Sequence, residues 1–266
     1  MSTRESAVSG TFYPSSSYEI ESMFEHFNSI IDQHIKDTTL LNSTPRAIIA
    51  PHAGYIYSGF SANIAYRLLK NSNPKIVVVI GPSHRVYLNG VSICDKELYD
   101  TPFGTLNIDQ TLLHDLEDKF ALNFIPEAHH EHSTEVQMPF IKFYLPNSSV
   151  IEMVYGKEDP THLSKIIDYL LKDPDISVVI STDLSHYYDL QKANTLDSIC
   201  MEAITNLNPQ ELHQGCEACG KIGVEALLLV AKNLNLKPKL LDYRTSADAS
   251  GDKSKVVGYV SVAFYE

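Results

Sequence analysis

Two short runs of this sequence, Lys75-Ile76-Val77-Val78-Val79-Ile80 and Ile176-Ser177-Val178-Val179-Ile180-Ser181, are apolar at consecutive positions rather than alternate ones. A strand with one wet face alternates apolar and polar residues. A continuous apolar run is the pattern of a strand buried on both faces, as in a parallel sheet covered by helices on each side. The rest of the chain supplies helices for those faces. Ser17–His34 carries Ile20, Met23, Phe24, Phe27, Ile30 and Ile31 at helical spacing, and the polar Lys36–Pro45 segment that follows reads as a loop. Arg46–Ala50 reads as a strand and Ser58–Lys70 as a helix. Further helices are expected over Asp109–Lys119, over Ser133–Tyr144 with a bend or break at Pro139, and over Thr161–Leu171. Ser149–Val154 reads as a strand, two or three helices fill Leu190–Leu234, and Lys239–Tyr243 and Val256–Phe264 close the chain as strands, the last of them antiparallel. Strands alternating with helices predict an α/β fold, a single domain over residues 1–266 with a mostly parallel central sheet flanked by helices.

Charge and cysteine content narrow the classes of function. There are 33 acidic and 21 basic side chains, a formal net charge of -12, and such a surface repels phosphate backbones, so no nucleic-acid partner is expected. No apolar run approaches the roughly 20 residues that span a bilayer, so no membrane role is expected either. The opening residues MSTRESAVSGTFYP lack the apolar stretch of a signal peptide. Four cysteines in 266 residues do not read as a disulfide framework. The expectation is a soluble cytoplasmic protein with reduced thiols.

Three apolar strands run into histidine. The first passes from Ile48-Ile49-Ala50 to Pro51-His52, the second from Val77-Val78-Val79-Ile80 to Gly81-Pro82-Ser83-His84, and the third from Val178-Val179-Ile180-Ser181 to Thr182-Asp183-Leu184-Ser185-His186. Ligands of open α/β sheets bind outside the carboxyl ends of the strands, so parallel neighbours would bring all three imidazoles to one edge. Imidazole is both a metal ligand and a general acid/base near neutral pH. Two imidazoles and one anionic ligand, with positions left open, form a non-heme Fe(II) arrangement. Asp183, Glu135 and a cysteine are the candidates for the third ligand.

Among the cysteines, Cys219 stands out. Cys219-Gly220 precedes the apolar helix Ile222–Leu234, and a thiol near a helix N-terminus ionises and ligates metal more readily. Cys216 makes a CxxC pair with it, but no second ligand pair appears for a structural zinc site. Cys94 and Cys200 fall in apolar patterns and read as core. The run His129-His130-Glu131-His132-Ser133-Thr134-Glu135 has two readings. Ser133 would cap a helix whose dipole Glu135 stabilises, or the helix start lies over the sheet edge and puts His132 and Glu135 in the pocket wall.

Taken together these segments resemble the Memo family, whose prokaryotic members are named AmmeMemoRadiSam system protein B. The resemblance runs through Ala7-Val8-Ser9-Gly10-Thr11-Phe12-Tyr13-Pro14, Ala50-Pro51-His52-Ala53-Gly54-Tyr55, Gly81-Pro82-Ser83-His84, Glu131-His132-Ser133-Thr134-Glu135, Ser181-Thr182-Asp183-Leu184-Ser185-His186, Cys219-Gly220, Ser250-Gly251-Asp252 and Val256-Val257-Gly258-Tyr259, in that order. It implies the fold of the class III extradiol, LigB-like dioxygenases, which open catechol rings at an Fe(II) held by two His and one Glu with a further His as acid/base. Carried over by motif, His52 and His84 are the metal-binding imidazoles, Cys219 takes the place of the carboxylate, and His186 is the acid/base. Asp183, three residues before it, is expected to orient that imidazole. Tyr55, His132 and Glu135 are expected in the pocket. The resemblance further implies Fe(II) as the metal, with copper or zinc also suited to two imidazoles and a thiolate. It implies a small-molecule or peptide ligand, phosphotyrosine peptides in animal members, and radical SAM and AMMECR-type proteins as partners.

Two readings stand at this point. One is a non-heme metal-dependent oxidoreductase; the other is a binding or scaffold module that kept the dioxygenase-like pocket without turnover.

Overall fold

In the computed structural model, which describes residues 1–266, Val77 to Ile80 and Val178 to Ile180 have no measurable exposure. In chain order the elements are β1 (Thr3–Arg4), α1 (Ser17–His34), α2 (Thr38–Leu41), β2 (Ala47–Ala50), α3 (Tyr55–Ser72), β3 (Ile76–Pro82), β4 (Val91–Ile93), β5 (Leu98–Tyr99), β6 (Leu106–Asn107) and α4 (Gln110–Phe120). They continue with α5 (His132–Glu135), α6 (Met138–Tyr144), β7 (Ser149–Tyr155), α7 (Pro160–Leu171), β8 (Ile176–Ser181), β9 (His186–Tyr188), α8 (Leu190–Thr205), α9 (Lys221–Asn233), β10 (Lys237–Thr245), α10 (Ala247–Ser250) and β11 (Val256–Tyr265). Short 3-10 segments cover Pro126–His129 and Pro209–Gln214.

The main sheet runs β10-β11-β2-β8-β3-β7-β4, and β9 adds to β11. Its four central strands β2, β8, β3 and β7 are parallel, with Ile48 opposite Val179 and Val78 opposite both Val178 and Ile151. The closing strand β11 is antiparallel to β2, as expected. From β2 the chain crosses through α3 to β3 in one direction; from β7 it returns through α7 to β8 in the other. Right-handed crossovers in opposite directions place α3 and α7 on opposite faces. That is why the central strands are buried on both faces, and why the polar groups they carry, such as Glu152 and Ser181, need partners inside the protein. One core of 63 buried apolar residues runs through these layers, leaving no seam for a second domain.

The expected helices and central strands form within a few residues of their expected bounds, with instructive departures. The Lys36–Pro45 loop contains the one-turn helix α2, capped by the Asp37 side chain. The Ser133–Tyr144 helix is two pieces: the chain breaks after Glu135 and restarts at Met138, with Pro139 in the first turn of α6, where a missing N–H costs nothing. The strands β1, β4, β5, β6 and β9 are two or three residues long, too short to show a period. The expectation of four reduced thiols is overturned, because Cys200 on α8 is disulfide-bonded to Cys216. Sixteen residues separate the two, and the 3-10 turn folds the chain back to join them. Cys94 and Cys219 are free. No helix is long and apolar enough to cross a membrane.

Behind α5 lies a buried set of charges. Glu135 is not in a pocket wall, as expected, but turned into the protein. Its carboxylate accepts from Arg4 Nη1 (2.7 Å), Tyr13 Oη (2.8 Å) and the main-chain N–H groups of Ala7 (2.7 Å) and Val8 (2.8 Å). A buried carboxylate is captured by whatever donors balance it, and here the N-terminal arm provides them. Glu152 on β7 accepts from His129 Nδ1 (2.7 Å), Thr134 Oγ1 (2.6 Å) and Tyr99 Oη (3.0 Å). Burial pushes the Glu152 pKa up, but His129, Arg4 and these hydrogen bonds outweigh it and hold the pKa down at about 2, against an ordinary 4.5. A depressed carboxylate stabilises the fold above its unfolded pKa, and the contribution is lost as pH falls from 4.5 toward 2. Glu152→Gln should therefore cost about 3–5 kcal/mol near neutral pH, the scale of a broken buried pair. Urea unfolding at a series of pH values should show the variant losing less further stability between pH 4.5 and 2 than the wild type. Parallel acid limbs would remove Glu152 from the acid sensitivity.

Candidate metal centre

The carboxyl ends of β2, β3 and β8 deliver side chains to one place, and the Ser181 hydroxyl at the end of β8 fixes the first of them. That hydroxyl donates to the Ser133 carbonyl and accepts from Gln137 Nε2 (2.9 Å). His52 Nδ1 lies 2.9 Å from the same oxygen. Since the single Ser181 proton is committed to Ser133, His52 Nδ1 must be the donor and Nε2 carries the lone pair. Nε2 lies 3.3 Å from Cys219 Sγ. The His52 main-chain N–H is held by Asp183 Oδ1 at 2.8 Å. Burial, then the neighbouring His84 and His132, keep the His52 pKa well below 6.5, so the ring is neutral.

Glu131 organises the other two imidazoles. Its side chain caps α5, accepting from the N–H groups of His132 (2.8 Å) and Ser133 (3.2 Å). It also accepts from the main-chain N–H of His84 (2.6 Å) and from His84 Nδ1 (3.3 Å). Ser133, expected as the cap, instead donates its hydroxyl to the Pro82 carbonyl at 2.7 Å. A side chain at Gly81 would stand 2.7 Å from Ser133 Oγ, so only glycine lets α5 sit on the end of β3. Burial depresses the His84 pKa, but Cys219 and Glu131 more than reverse this and raise it to about 10. The same histidines, with their hydrogen bonds, hold the Glu131 carboxyl far below its ordinary value despite its burial.

The result is three imidazoles in one cluster. One ligand nitrogen from each of His52, His84 and His132 lies within 4.8 Å of the others. The His132 ring centroid is 5.4 Å from that of His52 and 4.7 Å from that of His84. Its Nδ1 comes within 2.7 Å of Glu131 Oε1 but at an angle that makes no hydrogen bond. Phe12, from the N-terminal arm, packs on the other side of His132 at 4.6 Å between centroids. Cys219 comes in from the start of α9. Its N–H donates to the Asp183 carbonyl (3.2 Å), and its sulfur accepts from the Asp183 N–H (3.3 Å). Gly220 N donates to Thr182 Oγ1 (2.8 Å), and a Cβ on Gly220 would stand 2.6 Å from Thr182 Cβ.

Not every expected site residue joins this cluster of imidazoles. His186 is on β9, paired with β11 opposite Val257, and is not among the three clustered imidazoles. The helical turn expected to join Asp183 to His186 does not form: residues 182–185 are irregular and lead directly into β9. Asp183 serves His52 and Cys219 instead. Tyr55 is a core side chain rather than part of the pocket. It is buried, donates to the Val136 carbonyl (2.7 Å), and packs on Phe140 at 4.8 Å. Glu131 was not singled out from the sequence. The only signal was its place in the histidine run, which says nothing of the four N–H groups it collects.

A second group, Cys94, His129 and Glu152, also brings ligand atoms within 4.8 Å of one another. Its chemistry is already satisfied. His129 uses Nδ1 on Glu152 and Nε2 on Ser92 Oγ (2.9 Å), and burial followed by the Glu152 charge pushes the Cys94 thiol up into its neutral form. This is a hydrogen-bonded core network. The first group is different: the neutral His52 ring turns its Nε2 lone pair to the Cys219 sulfur at 3.3 Å, beside two more imidazoles, and a metal that displaces the thiol proton would find a donor set that fits iron, copper or zinc and not magnesium or calcium.

An α/β protein with a histidine-rich candidate metal centre at the ends of its parallel strands is thus defined. The sequence matches the profile of the Memo-like proteins over residues 4–263, and the chain belongs to this family. It is 33% identical to a MEMO1 family protein of Metallosphaera sedula, covering 98% of this chain and 99% of the relative. A MEMO1 family protein of Aquifex aeolicus is 32% identical over 99% of this chain and the whole of the relative. One from Sulfurisphaera tokodaii is 36% identical over 81% of each.

The close approach at Gly220 gives a test of the Cys219 geometry. Gly220→Ala must displace Thr182 or the segment bearing Cys219, and should cost about 1–3 kcal/mol, the scale of overpacking. Wild-type stability in urea would show that the approach is looser than described.

Proposed function

We propose that this chain is a non-heme metal protein whose site holds Fe(II) through His52, His84 and Cys219, and that it acts as an oxidoreductase on a small substrate. The observation that carries this reading is the tautomer of His52. A ring whose Nδ1–H is engaged and whose Nε2 lone pair faces a thiol is prepared to ligate a metal rather than merely fill space. Copper or zinc would suit the same donors. Bound Fe(II) supplies Lewis acidity and electron transfer at such a site.

The chain's own groups do the rest. Ser181 and Asp183 hold His52, Glu131 holds His84, and Asp183 holds Cys219 by two main-chain contacts. His186 is left for proton transfer. It is half-buried and close enough to bear on the charges of His52 and Asp183. His132, beside both ligand imidazoles, offers a further nitrogen to substrate or metal.

A second reading is favoured by one observation. Apart from Met1 and Tyr18, the exposed large apolar side chains are Ile56, Tyr57, Tyr87 and Tyr187, all on segments that follow β2, β3 or β8. Such a rim suits capture of a peptide or small apolar ligand without turnover. In that reading radical SAM and AMMECR-type proteins are the expected partners.

Two measurements separate these outcomes. Protein purified without air should carry iron, copper or zinc, and His52→Ala combined with His84→Ala should abolish it; unchanged metal content would move the site elsewhere. Because the ligands must shed protons, loading should weaken as pH falls. With iron restored, an oxidoreductase should take up oxygen with a suitable catechol. His186→Ala should then keep the metal and lose about a hundredfold or more in rate, the scale of general acid–base catalysis. Absence of oxygen uptake with any catechol, with His186→Ala altering ligand affinity alone, would favour the binding module.

A further inference from the structure

Cys219 reaches the candidate metal centre from a segment with few anchors of its own. Residues 215–220 join the 3-10 turn Pro209–Gln214 to α9. At the site end the segment is held by the two contacts of Cys219 with Asp183 and by the bond from Gly220 to Thr182. At the other end Cys216 is tied covalently to Cys200, with 4.9 Å between their Cα atoms. Both cysteines are buried in the core. Gly215, at φ +129°, turns the chain against α8, where Ile199 Cδ1 would stand 3.1 Å from an added Cβ. Three residues of chain reach at most about 10–11 Å, so the position of Cys216 confines Cys219.

We propose that the Cys200–Cys216 disulfide is a positioning element for Cys219, fixing the thiol beside His52 so that metal affinity depends on this tether. The inference rests on the metal reading above. Cys200 and Cys216 touch neither metal nor substrate; they act through Cys219. Opening the bond takes two electrons and two protons from a dithiol, which is itself oxidised to a disulfide while Cys200 and Cys216 become thiols. Both sulfurs are buried, so this exchange waits on opening of the segment, and the bond acts as a fixed tether rather than a rapid switch. With the tether gone, Cys219 keeps its contacts to Asp183, Gly220 its bond to the Thr182 hydroxyl and Glu217 its bond to Tyr188, but the segment loses its covalent anchor and the thiol samples positions away from His52.

The test uses Co(II) titrated without air into the whole apo chain. Visible ligand-field bands report any bound ion, and a near-ultraviolet band reports sulfur-to-cobalt charge transfer from Cys219. Wild type should show both, and Cys219→Ser should lose the second. Cys200→Ala combined with Cys216→Ala should bind Co(II) about tenfold more weakly, the lower end of the range for residues that orient ligands. It should also give less near-ultraviolet intensity per bound ion, at a temperature where thermal melts show both proteins folded. Equal affinity and equal intensity per ion, even with a lowered melting temperature, would make the disulfide merely structural and overturn the proposal. A wild type lacking the near-ultraviolet band would overturn the Cys219 ligand reading and the tether with it. If the double variant does not fold, wild type opened by a dithiol, then freed of it, is alkylated with iodoacetamide beside the closed form. Cys219 should react several-fold faster in the opened chain, and an unchanged rate refutes the tether.

Discussion

The Ser181 hydroxyl is the contact on which the arrangement of the site depends. It lies at the end of a strand with no exposed residue, where an unpaired polar atom would be costly. Three elements meet on it: α5 through the Ser133 carbonyl, the start of α6 through Gln137, and the end of β2 through His52. Gln137 also donates to the Pro51 carbonyl at 2.9 Å and accepts from Tyr66 at 2.9 Å, which ties this junction to α3. Because each partner uses a different lone pair or proton of one small group, their relative positions are fixed together. The same accounting decides the tautomer of His52. A residue at a strand end, chosen to satisfy the backbone, thus decides which nitrogen is free for chemistry.

The carboxylates around α5 explain how so short a helix can hold His132 among the clustered imidazoles. Four residues cannot form a stable helix alone, since nucleation is unfavourable. Glu131 binds its free N–H groups at one end, and Glu135 at the other end gathers the N-terminal arm. Thr134 is tied to Glu152 on β7. The helix is held by side chains in three directions, and His132 takes its place among the imidazoles as a consequence. Phe12 arrives on the same arm that Glu135 holds, so the wall beside His132 and the buried charge behind it are parts of one construction.

How far the sequence could foretell this depended on whether a pattern was local. Val77–Ile80 and Val178–Ile180 declared buried strands because burial on both faces leaves a mark on every residue. The strand-end histidines declared a site because sheet topology fixes where parallel strands end, and His52 and His84 do meet there. Tyr55, Glu135 and Asp183 were misread because their roles depend on partners far off in sequence: Val136 for the first, Arg4 for the second, His52 for the third. Three residues of spacing between Asp183 and His186 suggested a helical turn, yet pairing of β9 with β11 draws this segment out. The Cys200–Cys216 bond was hidden for a related reason, since only the 3-10 turn between them brings the sulfurs together.

That β9 pairing also separates two kinds of histidine. His52 and His84 are locked by hydrogen bonds to rigid neighbours, as the proposed ligand role requires. His186 sits on a short outer strand whose register with β11 shifts between Val256 and Val257. Its neighbour Tyr187 adopts φ +64°, a left-handed conformation unfavourable for a bulky residue, and is 72% exposed. An exposed aromatic gains little from burial to offset such a conformation, so the surrounding pairing must impose it. Leu184 and Ser185 supply that constraint through their main-chain hydrogen bonds with Gly258, and Asp197 fixes the Ser185 N–H at 2.9 Å. The left-handed residue turns the chain immediately after His186, and the imidazole and the Tyr187 ring lie with their centroids 5.8 Å apart and their planes at 63°. A proton-transferring group benefits from being placed by the backbone and not fastened at its ring nitrogens, because those nitrogens must exchange protons. In the reading proposed above, His186 has that character, and the two locked imidazoles do not.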